Sequence, residues 1–198
     1  MTTSILDHYL TSINAIQYTE SLQKYLFLLA KWNQTYNLTA IQDLPTMITH
    51  HIIDSLTIAP YLTGKHILDV GSGAGLPGIP LAIVFPHLQI ELLDSNGKKT
   101  RFLQEVQRQL NLSNITVTQA RVETYAPEYY FDTIMCRAFS HIKQFLSLTK
   151  HLLISKGRWL AMKGQYPGAE LINISYPYTI TSYQITNCDR CIVAIENN

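Results

Sequence analysis

The stretch DVGSGAGLPGIP at residues 69–80 constrains the fold most, because it places four glycines within eight positions directly after the apolar run HILDV. Glycine accepts positive φ angles and lets a backbone approach a ligand closely. A glycine-rich turn that follows a short apolar run predicts the first strand-to-helix connection of an open α/β sheet, where ligands bind. Two spacings overlap here: Gly71, Gly73 and Gly75 form GxGxG, whereas Gly73, Gly75 and Gly78 form GxGxxG.

The region before this loop has helical periodicity. Apolar residues recur with helical spacing over residues 4–16, 20–36 and 44–61. We therefore predict an N-terminal helical extension over residues 1–62.

After residue 63 the pattern changes to short β-rich runs that alternate with helical runs. We expect strands near 66–70, 88–94, 115–120, 131–139 and 158–163, with helices near 78–85, 98–110 and 141–153. The last two runs, near 178–186 and 190–196, are joined by too few residues for a parallel crossover. Residues 63–198 thus predict an α/β fold, a Rossmann-like, mostly parallel seven-stranded sheet with an antiparallel C-terminal hairpin, and one compact unit overall.

Composition limits the class of protein further. A chain of 198 residues with 46% apolar residues suits one well-packed domain, and a net charge of +1 gives no overall sign of a nucleic-acid binder. The first residues lack a basic signal region and no apolar run is long enough to span a bilayer, so we expect a cytoplasmic protein with no membrane contact, and a monomer. The CDRC motif at 188–191 lacks further ligands, so we expect no metal site.

Two cofactor classes fit a glycine loop of this kind. A dinucleotide enzyme would use GxGxxG and would need a second βαβαβ half or a substrate domain, for which this chain has no room. S-adenosylmethionine-dependent methyltransferases need one such sheet ending in an antiparallel pair. Asp94, at the end of the second strand, can accept hydrogen bonds from the ribose hydroxyls of either cofactor. The architecture therefore favours S-adenosyl-L-methionine.

An ordered series of motifs makes this expectation specific. The series is KWNQTYNLTAI (31–41), HHIIDSL (50–56), LDVGSGAGLPGIPLAI (68–83), LLDSNGKKTRFL (92–103), RVE (121–123), CRAF (136–139) and MKGQ (162–165). It resembles the bacterial small-subunit rRNA guanine-N7 methyltransferase G family, also called glucose-inhibited division protein B, over nearly the whole chain.

The resemblance implies methylation of N7 of guanine 527, in the 530 loop of 16S rRNA, with S-adenosylmethionine as methyl donor. The partner would be 16S rRNA or the small ribosomal subunit. The implied cofactor-binding residues are Gly71, Gly73, Gly75, Leu76, Asp94, Val122, Glu123 and Arg137.

Guanine N7 carries a free lone pair and no proton, so the implied reaction needs positioning rather than a general base. We therefore predict Arg137 as the catalytic, positioning residue and nominate neither His51 nor His141 as a base. Predicted substrate-binding residues are His51, Asp54, Lys98, Lys99, Arg101 and Lys163. Each of these predictions has an alternative. Arg137 could be a surface ion-pair partner, and the lysines could be scattered solvated charges.

Two other functions remain open on the sequence alone. The first is a methyltransferase of the same fold that acts on a small molecule or a protein. The second is a non-enzymatic, cofactor-binding regulatory protein.

Overall fold

The computed structural model describes residues 2–137, 139, 141–172 and 174–197. Its centre is a seven-stranded sheet with the order β3-β2-β1-β4-β5-β7-β6. The strands are β1 (His66–Val70), β2 (Gln89–Asp94), β3 (Ile115–Gln119), β4 (Phe131–Arg137), β5 (Leu153–Lys163), β6 (Tyr178–Ile185) and β7 (Cys188–Glu196). Strands β1 to β5 pair in parallel, and β7 pairs antiparallel with both β5 and β6. The predicted fold class is confirmed.

Most helices lie where the apolar periodicity places them. The helices are α1 (Thr2–Ser12), α2 (Thr19–Tyr36), α3 (Leu44–Met47), α4 (Asp54–Leu56), α5 (Gly78–Val84), α6 (Gly97–Leu110), α7 (Ile142–Thr149) and α8 (Gly168–Leu171). Helix α8 was not predicted, and α7 ends before the predicted residue 153. The single helix expected over residues 44–61 is wrong in detail. A π-helical segment, Ile48–Ile53, separates α3 from α4, and a 3-10 turn, Ala59–Tyr61, follows. Such π segments inside helices occur frequently at functional sites.

Successive strand residues point to opposite sides of the sheet. Apolar side chains on both sides are buried, so both faces of the sheet are covered. Ile67 of β1 packs with the N-terminal helices, α5 and α6 in one apolar cluster. Leu68 and Val70 pack on the other side with Phe145 of α7 and Trp159 of β5. The N-terminal helices therefore share a continuous core with the sheet. None of the helices in the described part of the chain combines the length and the apolarity needed to cross a bilayer.

The strand order determines where a ligand can bind. From β1 the chain moves outward to β2 and β3, whereas β4 lies on the other side of β1 and leads to β5. The carboxyl ends of β1 and β4 thus flank the point at which the strand order reverses. That crevice is the ligand-binding position of open α/β sheets. Gly71 directly follows β1, and Arg137 is the last residue of β4.

A side chain of helix α2 forms a hydrogen bond to the glycine loop. The hydroxyl of Tyr25, which is fully buried, donates a hydrogen bond of 2.7 Å to the carbonyl oxygen of Ala74. Burial raises the pKa of Tyr25 far above its ordinary value, so the phenol remains a donor. The helical extension therefore contributes directly to the shape of the loop.

Removing this hydroxyl is expected to weaken the fold. Tyr25→Phe leaves the ring in place but deprives the buried Ala74 carbonyl of its donor, which costs about 1–3 kcal/mol. Urea unfolding measures the loss, and Tyr36→Phe, at an exposed ring of the same helix, is the control. Equal stability of the two variants would contradict a structural role for the bond.

Candidate functional site

The backbone of the glycine loop has positive φ angles at three of its four glycines. Gly71, Gly73 and Gly75 have φ angles of +70°, +59° and +88°, in the left-handed region. Gly78 instead begins α5, and a Cβ there would lie 2.3 Å from Leu92 Cδ2. The left-handed conformation thus coincides with the GxGxG spacing. Gly78 serves close packing of the helix on the sheet.

A cavity of about 310 Å³ opens in front of this loop. Its lining includes four of the predicted cofactor residues, Gly71, Asp94, Val122 and Glu123. A Cβ built on Gly71 meets no atom within 4 Å, so the backbone there faces open space. A cofactor can therefore contact the Gly71 main chain directly.

Asp94 shapes the loop as well as the cavity. Its Oδ2 accepts a hydrogen bond from the Gly73 backbone N–H at 2.9 Å, and its Oδ1 accepts one from Asn96 N–H at 2.8 Å. Each carboxylate oxygen has two lone pairs, so both retain capacity for a further donor such as a ribose hydroxyl. Lys99 Nζ lies 3.7 Å from Oδ2, which brings this lysine to the cofactor side of the site.

Some residues around this cavity were predicted to bind the cofactor and others were not. Val122 and Glu123 form the short 3-10 turn that follows β3. Phe139, Gln144 and Leu148 also line the cavity, although none of them was predicted as a site residue. Gly73, Gly75 and Leu76 shape the loop but lie outside the lining, and Leu76 is buried in the core.

Arg137 occupies a buried polar cluster at the end of β4. Its NH2 donates a hydrogen bond of 2.8 Å to the His50 carbonyl, and its NH1 lies 3.6 Å from Asp54 Oδ2. NH1 has no hydrogen-bond partner among the described residues, and the same holds for His51 Nδ1, Ser55 Oγ and Asp69 Oδ1. Buried polar atoms without partners are costly, so a water molecule or another polar group that paired with them would stabilise this region.

The hairpin formed by β6 and β7 completes the surroundings of Asp54. Tyr183 donates a hydrogen bond of 2.9 Å to Asp54 Oδ1, and Arg190 Nε lies 3.9 Å from the same oxygen. One buried carboxylate is thus shared between Arg137 and Arg190. No local sequence signal could have found these contacts, because Tyr183 lies 129 positions from Asp54.

His51 is held in its neutral form. Burial, and secondarily the positive charge of Arg137, lower its pKa to about 4. Its Nε2 lies 2.8 Å from Thr39 Oγ1. His51 therefore orders the polypeptide behind the site with a neutral ring.

The pKa of Asp69 is raised, whereas that of His51 is lowered. Burial raises the pKa of its carboxyl to about 7, although a hydrogen bond from Gly78 N–H to Oδ2 opposes that rise. The protonated carboxyl is thus favoured up to near-neutral pH. A positively charged group beside Asp69 would favour the ionised form instead.

This shift predicts a pH dependence of stability. Because the folded chain binds the Asp69 proton more tightly than the unfolded chain, the stabilisation is complete below about pH 4 and is lost as the pH rises to about 7. Asp69→Asn mimics the neutral carboxyl, so the wild type should lose up to about 4 kcal/mol relative to this variant across that window.

Urea unfolding at a series of pH values tests the difference. His51 acts in the opposite sense, since its stabilisation is present above pH 6.5 and is lost towards pH 4, but it is common to both proteins and cancels. Parallel pH profiles of the two proteins would refute the assignment to Asp69.

The predicted basic substrate-binding residues have different surroundings, and Lys99 lies beside Asp94. Lys98 and Arg101 are exposed on the first turns of α6, beside the cofactor cavity. Lys163 instead forms an ion pair of 2.7 Å with Glu170 and donates to the Phe139 carbonyl. Its charge is thus compensated within the protein, whereas Lys98 and Arg101 face the solvent.

The described residues contain no group of three or more His, Cys, Asp or Glu side chains arranged to hold a metal ion. The CDRC cysteines lie in β7, where Cys191 is buried and Cys188 is exposed, and both are free thiols. Their position three residues apart in a strand directs them to opposite faces.

The residues around the cavity fit S-adenosylmethionine on structural grounds. The open space at Gly71 accommodates a ligand against the backbone, and Asp94 and Glu123 present carboxylates to the cavity. This cofactor carries hydroxyl and amino groups that match such an arrangement.

Known proteins resemble this chain in both sequence and fold. The family model described as rRNA small subunit methyltransferase G (GidB) matches residues 18–194. A ribosomal RNA small subunit methyltransferase G from Legionella pneumophila (strain Corby) is 50% identical over 98% of this chain and 94% of its own length. The protein of that name from Coxiella burnetii (strain RSA 331) is 47% identical over 90% of this chain and 89% of its own length.

A solved structure, a SAM-dependent methyltransferase from Aquifex aeolicus, shares the fold with a TM-score of 0.59 and 16% identity. It covers 76% of this chain and 93% of its own chain. The fold is thus that of S-adenosylmethionine-dependent methyltransferases, and the resemblance found in the sequence motifs is confirmed. The chain belongs to the rRNA small subunit methyltransferase G family.

Proposed function

We propose that this protein transfers a methyl group from S-adenosylmethionine to N7 of guanine 527 in the 530 loop of 16S rRNA. The observation that carries the proposal is the place of Arg137 at the end of β4, next to β1 and its glycine loop, where the strand order reverses. Family membership over nearly the whole chain supports an rRNA substrate. The choice of guanine N7 rests on the resemblance of the motifs.

S-adenosylmethionine supplies an electrophilic methyl group on a sulfonium. Gly71, Asp94, Val122 and Glu123 would hold it, because they line the cavity. Asp94 would accept hydrogen bonds from the ribose hydroxyls.

The protein's own contribution to the reaction is positioning. Guanine N7 needs no deprotonation, and the lowered pKa of His51, about 4, makes its ring a weak base. Arg137 would orient the guanine or the cofactor through NH1, which lies 3.6 Å from Asp54 Oδ2 and makes no hydrogen bond to the described residues, while the His50 carbonyl holds NH2. It does not donate to N7, because such a bond would occupy the attacking lone pair.

The substrate would be 16S rRNA or the small ribosomal subunit. The exposed charges of Lys98 and Arg101 are then available for phosphate contacts near the cofactor cavity. Replacing both by Ala is expected to weaken RNA binding and to lower the slope of log affinity against log salt by about 1–2. Binding titrations at several salt concentrations measure this, with Lys65→Ala, at the amino end of β1, as control. An unchanged slope would leave these residues as ordinary solvated charges.

Labelled-methyl transfer tests the function itself. Small ribosomal subunits and 16S rRNA that lack the modification are incubated with the protein and labelled S-adenosylmethionine, and the modified nucleotide is mapped. We expect incorporation at one guanine N7. Label found only in a small molecule or a protein would favour the first alternative, and tight cofactor binding without any transfer would favour a regulatory protein.

A further inference from the structure

A second cavity lies at the same edge of the sheet as Arg137, on the side away from the cofactor cavity. Its volume is about 480 Å³, within the range of ligand sites. Its lining comes from the chain after β5 and from the facing hairpin strands, and it includes Gln165, Tyr166, Tyr183, Gln184, Asp189 and Arg190. The cofactor cavity is lined from the ends of β1 to β3 and from Phe139 and α7, whereas the second cavity is lined from the chain after β5 and from the hairpin. Arg137, the last residue of β4, belongs to the strand between β1 and β5.

The walls of the second cavity contact the partners of Arg137. Tyr183 and Arg190 both approach the Asp54 carboxylate. The Arg190 NH2 also lies 3.5 Å from His50 Nδ1, and the His50 carbonyl accepts the hydrogen bond from Arg137. A molecule bound in this cavity therefore lies against the residues that fix the Arg137 guanidinium.

Tyr166 gives the cavity an accessible aromatic face. The residue is 69% exposed. Gly168 leaves room for the ring, since a Cβ there would lie 2.9 Å from Tyr166 Cε1. The neighbouring Gln165 carbonyl accepts a contact from the buried Cys191 thiol, which fixes the chain beside the ring. The ring is thus well positioned and exposed to solvent.

The chemistry of this cavity suits an unstacked nucleotide. Nucleic-acid binders hold splayed-out bases by stacking them on aromatic rings, with guanidinium and amide groups at the edges. Tyr166 supplies the ring, Arg190 a fixed cation, and Gln184 an amide. An internal guanine that enters an active site must leave its own stack, and the adjoining nucleotide then loses a stacking partner.

We infer that the second cavity binds the base adjacent to the target guanine, stacked on Tyr166. This inference rests on the proposed rRNA substrate and adds a subsite to it. Tyr166 is a specificity residue for the RNA strand and takes no part in holding the cofactor.

Tyr166→Ala tests the inference with small subunits that lack the modification. We expect KM for the subunit to rise about tenfold or more, because loss of one base–aromatic stack has an effect of that size. The value of kcat at saturating subunit and the affinity for S-adenosylmethionine, measured by calorimetry, should stay within about twofold. Tyr166→Phe retains the ring and should restore the wild-type KM.

Tyr130→Ala is the matched control, since this tyrosine is 64% exposed and directly precedes the amino end of β4, whereas Arg137 lies at its carboxyl end. An unchanged KM in Tyr166→Ala, with an active wild type, would overturn the subsite while leaving the proposed function intact. A wild type that fails to methylate rRNA would overturn both. Weaker binding of Tyr166→Ala to the subunit but not to protein-free 16S rRNA would assign the cavity to a ribosomal protein and likewise reject the inference.

Discussion

Arg137→Ala is expected to lower the rate constant of methyl transfer by roughly a hundredfold to a thousandfold, the range for loss of one fixed donor in an active site. The guanidinium lies at the end of β4, tied to the His50 carbonyl and to Asp54, with NH1 unpartnered among the described residues. Single-turnover transfer with saturating cofactor measures the effect on positioning separately from cofactor affinity.

Two further variants sharpen this test. Arg137→Lys keeps the charge but not the planar, multiple donors, so we expect an intermediate rate. Arg108→Ala removes an exposed arginine that pairs with Glu105 on α6, and it should leave transfer unchanged. Thermal unfolding of Arg137→Ala checks that the fold persists, since Tyr183 and Arg190 still contact Asp54. Wild-type transfer by a folded Arg137→Ala variant would remove this residue from the mechanism.

Side chains introduced at Gly71 are expected to exclude the cofactor in proportion to their size. Position 71 has a φ of +70° and its Cβ would enter open space in front of the loop. Gly71→Ala and Gly71→Leu carry a similar backbone cost of about 1–2 kcal/mol, but leucine also fills part of the cavity. We expect the affinity for S-adenosylmethionine to fall roughly a hundredfold in Gly71→Leu and clearly less in Gly71→Ala.

Calorimetry gives the two affinities, and urea unfolding gives the two stabilities. Both variants carry the same backbone strain, but their side chains differ in volume. A difference in affinity between them therefore reports occupation of the cavity by the side chain. If both variants bind the cofactor equally well, the cavity in front of Gly71 does not receive it.

Local patterns in the sequence were sufficient for most of the fold. The run HILDV coincides with β1, and residues 98–110 coincide with α6 apart from its first residue. The helix expected over 44–61 was wrong because hydrophobic periodicity does not register the extra residue of a π turn. That extra residue matters, because the π segment leads directly into Asp54, which faces Arg137.

The lining of the cavity beside the glycine loop was predictable only where its residues belong to contiguous motifs. Gly71, Asp94, Val122 and Glu123 follow strand ends, and the parallel sheet brings those ends together. Lys163 shows the limit of this reasoning. A lysine in a motif looks available for RNA, but its partner Glu170 lies in α8, and only packing shows that the pair forms.

The sequence by itself determined the sheet, the left-handed glycine loop and the family, because strand alternation, glycine spacing and motif order are properties of neighbouring residues. Tertiary structure alone decided the surroundings of Arg137. The Asp54 carboxylate meets Tyr183 and Arg190 of a distant hairpin. The folded chain balances these buried charges by contacts across the sheet, and such contacts leave no periodic or local trace in a sequence.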